Sequence, residues 1–376
     1  HAQATYWVGY VAWQRGDLRT AEGRMREYLR LAEAMIAAEQ DSAEYQAEVG
    51  YANSNLGTLT LQQRRWNEAL AYFEKSRAVN EELLKAAPDD AAQRIAFAQD
   101  FSWAARAFEG SGRFAEARGA LASELANYDK ILEKGPNAQA ATYQISARNN
   151  IANLYVAEGR LLAARAMYAT AARSAEALLA KEPANTVWVG NAAAAYIGMA
   201  RTALYQGDLA AMDAPLERAR GLCKQLVALD PKVAMWASWE ATFNLLQAER
   251  DRSQKRDADA AAAIDAARRA IDAAKPDRAS PSNDFSLAAA RVYLDYGDLH
   301  AGGDPKAARE AWAHALGFLG GDRSSLSPNA KLVAMQIMQR LGDRREIVTL
   351  RQSLQAIDFR HPEFASAGRA IAKEAE

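Results

Sequence analysis

Hydrolytic or redox chemistry needs a nucleophile, a base or metal ligands brought together, so the histidines and the cysteine are weighed first. Histidine occurs four times, as His1, His300, His314 and His361. No two stand four apart, the spacing that sets two imidazoles on one helix face for zinc, and each is read as a lone surface or loop side chain. Cys223 is the only cysteine, which excludes an internal disulfide and a cysteine-rich zinc site. It lies in "ARGLCKQLV" with no histidine near it in sequence, and a small buried apolar residue is the preferred reading over a nucleophile. "GSGRFA" (110–115) follows no strand, so its glycines suit a helix turn better than a phosphate loop. "EQDSAE" (39–44) lacks the spacing of a calcium loop, and the mixed charges of "DRSQKRD" (251–257) suit a solvated turn. No catalytic residue, metal site or cofactor is expected, and the chain is read as not an enzyme.

The elements that could position a site come next. Apolar residues make up 50% of the 376 and charged residues 25%, which suits a folded, helix-rich chain. Its 46 basic and 47 acidic side chains leave a net charge of −1, so no global pull toward nucleic acid or an anionic membrane follows. The longest small-apolar stretch, "AAAAYIGMA" (192–200), falls far short of a membrane span. The chain reads as soluble, with no membrane insertion. The cytoplasm is the favoured compartment, with the periplasm the alternative should a membrane span precede it.

One phrase returns four times: "LLKAAPDDA" (83–91), "ILEKGPNAQ" (131–139), "LLAKEPANT" (178–186) and "LVALDPKVA" (226–234). Its prolines, Pro88, Pro136, Pro183 and Pro231, are spaced by 48, 47 and 48 residues. Proline lacks an N–H and pushes the residue before it out of helix geometry, so each phrase ends a helix, and Asp, Asn or Ala after it restarts the next. Turn positions Gly16, Arg64, Gly112, Gly159 and Gly207 recur at the same interval, as glycine at a helix C-terminus needing positive φ would. Five positions on stand Ala21, Ala69, Ala117, Ala164 and Met212, small enough in four units for two helices to approach closely. A period of this length signals an array of stacked units.

These positions resemble the tetratricopeptide-repeat (TPR) family. The second unit has Leu56–Gly57, Ala69, Phe73 and Pro88; the fourth has Tyr155, Gly159, Ala164, Tyr168, Ala171 and Pro183. The resemblance implies an all-α fold, a right-handed superhelical solenoid of antiparallel helix hairpins. The unit here is 48 residues against the usual 34, and the excess of 14 divides into seven per helix, about two α-helical turns. One solenoid is expected over 1–376, with five well-formed repeats in 1–232, degenerate repeats in 233–345 and a C-terminal cap in 346–376. In the degenerate part Lys255 and Gly303 take the turn positions and Ala260 and Ala308 the small ones. Stretches 275–284 and 319–330 read as longer loops, and a polar helix closes the end.

The resemblance also implies which first-helix residues face the concave groove. These are Tyr10 and Trp13 in the first unit, Tyr51, Ser54 and Thr58 in the second, and Ser102 and Arg106 in the third. Asn149 and Asn153 follow in the fourth, and Arg201 and Tyr205 in the fifth. Aromatics at helical spacing also pack between units. The asparagines 53, 55, 149, 150 and 153 are poor mid-helix residues, and so suggest side-chain hydrogen bonding to a ligand backbone or between helices. Arg106 and Arg201 would suit a carboxylate or an acidic peptide. The lysine by which some family members clamp a peptide's C-terminus is replaced by Ser54 or Asn149.

The function expected is a non-catalytic module that binds a protein or peptide segment in the groove or senses a ligand there. It resembles C-terminal regions of bacterial signalling proteins and would be fused to an N-terminal effector domain. The alternative is a structural scaffold, with a homo-oligomer formed through the convex back or the chain ends.

Overall fold

The computed structural model describes residues 2–39, 42–274 and 283–365. His1, most of the loop expected at 275–284, part of "EQDSAE" and the end of the expected cap lie outside them. The described residues form sixteen helices of at least thirteen residues, a single helical turn at 362–365 and no strand, and they divide into two compact units within the seventh helix, after Ala147.

In the first unit, three hairpins pair α1 (Ala2–Gln14) with α2 (Leu18–Ala38), α3 (Ala43–Gln62) with α4 (Trp66–Ala86), and α5 (Ala91–Gly110) with α6 (Phe114–Leu132). The helix α7 (Ala138–Ala157) spans the division. The second unit continues with α8 (Leu161–Leu179), α9 (Thr186–Tyr205), α10 (Leu209–Leu229), α11 (Ala234–Ser253), α12 (Asp257–Ala273), α13 (Asn283–His300), α14 (Pro305–Phe318), α15 (Pro328–Leu341) and α16 (Arg344–Ala356). From α2 to α12 the helices run 17 to 21 residues, as a lengthened repeat requires. Pro88, Pro136, Pro183 and Pro231 all lie in the connections between hairpins, and Asp90, Asn137 and Asn185 cap the helices that follow with their side chains.

The hairpin tips share one turn. Gly16, Arg64, Gly112, Gly159, Gly207, Lys255 and Gly342 have φ between 58° and 85°. The N–H of the next residue reaches the carbonyl five positions back, as in Asp17 to Ala12 at 2.9 Å, Arg160 to Tyr155 at 2.7 Å and Arg256 to Asp251 at 2.9 Å. This is the Schellman closure, which satisfies carbonyls a helix end would leave unpaired. Gly303 departs from the expectation: it is not left-handed. There Asp304 accepts from the Lys306 and Ala307 N–H groups, and Pro305 opens α14, so the next helix is begun by a cap rather than by a glycine turn.

Ala21, Ala69, Ala117, Ala164, Met212, Ala260 and Ala308 are buried between paired helices. First helices of successive hairpins also touch one another, α3 on α5 in the first unit and α9 on α11, α11 on α13 and α13 on α15 in the second. Within each unit the odd-numbered helices therefore share an inner face, and the even-numbered ones back it.

Candidate functional site: the inner helix faces

On the first unit's inner face, α1 and α3 bring tyrosines together. The Tyr6 and Tyr51 hydroxyls are 2.7 Å apart, and the Tyr6 ring packs within 6 Å of Tyr10, Tyr28 and Tyr51. Trp13 Nε1 donates to Gln62 Oε1 at 2.5 Å. Tyr51 stays 50% exposed. Thr58 donates to the Ser54 carbonyl at 2.9 Å, and Asn53 and Asn55 donate to the carbonyls of Val49 and Tyr51. Those two asparagines use part of their capacity on their own helix. Ser102 hydrogen-bonds the buried Glu124, whose carboxyl desolvation pushes up to about 8. Arg106 is exposed, its guanidinium 5.6 Å from the centre of the Trp103 ring.

The second unit is built differently. Asn149 Nδ2 donates across to the Asn191 carbonyl at 3.1 Å. Asn153 Oδ1 accepts from the Tyr168 hydroxyl at 2.5 Å and from Arg201 Nη2 at 3.0 Å, and Arg201 also donates to the Tyr168 oxygen at 3.2 Å. Two polar atoms here, Asn149 Oδ1 and Arg201 Nε, are buried without a hydrogen-bond partner.

Beyond them the chain's own last described segment lies on the same face. The Arg360 N–H donates to the Ala157 carbonyl at 3.0 Å, and Phe359 and His361 are buried. The Glu363 carboxylate accepts from Arg291 Nη1 at 2.9 and 3.1 Å, from Gln336 Nε2 at 3.3 Å and from the Tyr205 hydroxyl. Its donors thus come from α9, α13 and α15. Although burial opposes its charge, Arg291 foremost, with His361 and the Tyr205 hydrogen bond, holds the Glu363 carboxyl down at about 2.

His361 lies in a loop, one of the two settings expected for the histidines, but it is buried rather than alone. It is 5% exposed, its ring 5.3 Å from that of Tyr205. Desolvation, reinforced by Arg291 and Arg201 and opposed by Glu363, pushes it down to about 3. Sequence reasoning also missed Arg291, Gln336 and Glu363, because the groove positions were carried only through the fifth unit. The signal for Arg291 was present: it is the one charge in "LAAARVYL" (287–294).

No group of three or more His, Cys, Asp or Glu side chains able to hold a metal occurs among the described residues. Nor is any described helix long and apolar enough to cross a membrane. Cys223 is buried, and desolvation with the nearby Glu240 pushes its thiol up to about 12. What this geometry offers chemically is the holding of a carboxylate and a stretch of backbone.

No protein-family model matches the chain, and no curated protein matches it by sequence. Solved structures do match. The chain is similar to the Rap conjugation gene regulator of the plasmid pLS20 in complex with the Phr* peptide, with TM-score 0.56, 12% identity, and 98% of this chain and 97% of that one covered. Aspartyl phosphate phosphatase F from Bacillus subtilis gives 0.55 at 12% identity, covering 96% and 95%. The apo form of RapI gives 0.53 at 10% identity, covering 91% and 99%. The fold is a TPR-type helical solenoid. Its hairpins, recurring turns and buried alanines are those the repeat predicts, with longer helices.

Proposed function

We propose that the chain is a non-catalytic, regulatory binding module, and that the inner helix face of its second unit receives an acidic peptide or protein segment. The observation that carries this reading is the seat of Glu363, a carboxylate gripped by donors from three separate helices beside a main-chain bond from Arg360 to Ala157. Asn149 Oδ1 and Arg201 Nε add an acceptor and a donor that a bound peptide backbone would satisfy. Similarity to a Rap regulator solved with the Phr* peptide, and to a Rap protein solved with competence and sporulation factor, supports the reading. On the first unit, Tyr10, Trp13, Tyr51, Ser54, Thr58, Ser102 and Arg106 are proposed as a second contact surface, with Tyr51 and Arg106 its exposed members.

The test is an array of synthetic ten-residue peptides graded in aromatic and acidic content, probed with the full chain. Peptides combining an aromatic residue with a glutamate should bind, and their lysine-for-glutamate counterparts should not. Equal signal from both sets refutes the reading.

Self-association is the second reading. Trp7, Val8 and Val11 on α1 are 58%, 51% and 43% exposed, an apolar patch of the kind that joins copies of a chain. Light scattering of the chain and of Trp7→Asp decides it: a mass equal to one chain in both removes this alternative.

A further inference from the structure

The segment after α16 is bound in the manner of a ligand. Its bonds to itself are local: Arg360 pairs with Asp358, the Phe359 and His361 rings stack, and the His361 carbonyl accepts from the Phe364 and Ala365 N–H groups in a single helical turn at 362–365. The Phe359 N–H closes the end of α16 on the Leu354 carbonyl, and the Glu363 N–H meets His361 Nδ1 at 3.3 Å. Its anchors outside the segment belong to the inner face: the Ala157 carbonyl for the Arg360 N–H, the Tyr205 ring against His361, and the Arg291, Gln336 and Tyr205 donors around Glu363. Glycine at position 159 leaves room for this backbone, since a Cβ there would stand 2.8 Å from the Arg360 carbonyl oxygen. A main-chain bond, an aromatic contact and a multiply held carboxylate are what a groove offers a peptide from another molecule.

We propose that the inner face lined by Ala157, Arg201, Tyr205, Arg291 and Gln336 is a binding site for a segment carrying an aromatic residue and, a few positions later, a carboxylate on a helical turn. Residues 359–363 occupy it in cis, and a partner segment of the same chemistry displaces them. This rests on the peptide-binding reading above and adds to it both the sequence character of the ligand and an internal competitor. Arg201 supports it independently. That residue donates to Asn153 and Tyr168 through Nη2, yet keeps a buried Nε without a partner, which is capacity that the internal segment leaves unused. Burying such a donor unpaired is unfavourable, and a ligand able to satisfy it would have an advantage over residues 359–363.

The experiment uses the full chain, unaltered and as Glu363→Ala. The probe is a fluorescein-labelled, acetylated and amidated peptide of residues 357–365, IDFRHPEFA, together with its glutamate-to-glutamine version. Anisotropy titration should give at least tenfold tighter binding of IDFRHPEFA to Glu363→Ala than to the unaltered chain, and at least tenfold weaker binding of the glutamine peptide to that variant. A second measurement needs no variant. With the chain isotope-labelled and unlabelled peptide at millimolar concentration, exchange of the Arg360 amide should accelerate about tenfold. Glu363→Ala binding IDFRHPEFA no better than the unaltered chain does, with Arg360 exchange unmoved by the peptide, overturns the proposal. If the peptide array is nevertheless positive, the binding module survives and only the internal competitor is lost. If the array is also silent, both fall.

Discussion

The packing of α9 against α8 gives a perturbation whose sign can be worked from distances. A Cβ added at Gly198 would lie 2.4 Å from two carbons of the Tyr168 ring and 2.6 Å from a third. Ordinary contact needs about 3.5 Å, so the ring would have to shift by roughly 1 Å. Tyr168 cannot move without loss, because its hydroxyl is held by Asn153 and Arg201 at 2.5 and 3.2 Å. For Gly198→Ala, overpacking costs about 1–3 kcal/mol, and disrupting the buried hydroxyl's bonds about 1–3 kcal/mol. Replacing glycine within a helix offsets about 1 kcal/mol, which leaves a net loss of about 1–5 kcal/mol. Gly221 on α10 is the control: nothing lies within 4 Å of its added Cβ, so Gly221→Ala should stabilise by up to about 1 kcal/mol. Urea unfolding of both variants, and of Gly198→Ala in a Tyr168→Leu background, measures the difference. In that background the added methyl has space, and its penalty should shrink to below about 1 kcal/mol. A Gly198→Ala chain as stable as the parent refutes the argument.

The buried carboxyl of Glu124 is raised to about 8, so its native form is neutral, and the stability it contributes is full below about 4.5 and lost as pH rises through 8. Glu124→Gln should therefore gain on the parent by on the order of 4–5 kcal/mol between pH 4.5 and 8, and a constant difference in urea midpoints across that range contradicts this. His361, lowered to about 3 among Glu363, Arg291, Arg201 and Tyr205, is docked neutral. Docking of residues 357–365 should weaken by about 1.4 kcal/mol per pH unit as pH falls below 6.5, while Glu363, at about 2, begins to contribute only below about 4.5. Protection factors at Arg360 that stay flat from pH 7 to 5 would sink that prediction. The Cys223 thiol, up at about 12 and buried, should react with iodoacetamide at neutral pH at least a hundredfold more slowly in the folded than in the unfolded chain.

Legibility in the sequence followed the range of the interaction. Turns and helix ends are local, and a left-handed residue at fixed intervals could be read even where Arg64 and Lys255 stand in for glycine. The buried alanines were readable because register links them to those turns. Gly303 misled because a neighbouring Asp–Pro pair starts α14 by another route. The asparagines gave half a signal: Asn53 and Asn55 donate to their own helix, whereas Asn149 and Asn153 reach across helices. What no periodicity could reveal was Glu363 meeting Tyr205, 158 positions earlier, since nothing in a repeat specifies where a non-repeating tail returns.

That return has a quantitative consequence for any outside rival. A segment tethered to its own receptor faces it at an effective concentration that is ~1 mM for a short flexible tether. A free peptide with equal intrinsic strength would therefore need to approach millimolar levels to win. One acting at micromolar levels must bind about a thousandfold better, or arrive already concentrated by a second foothold.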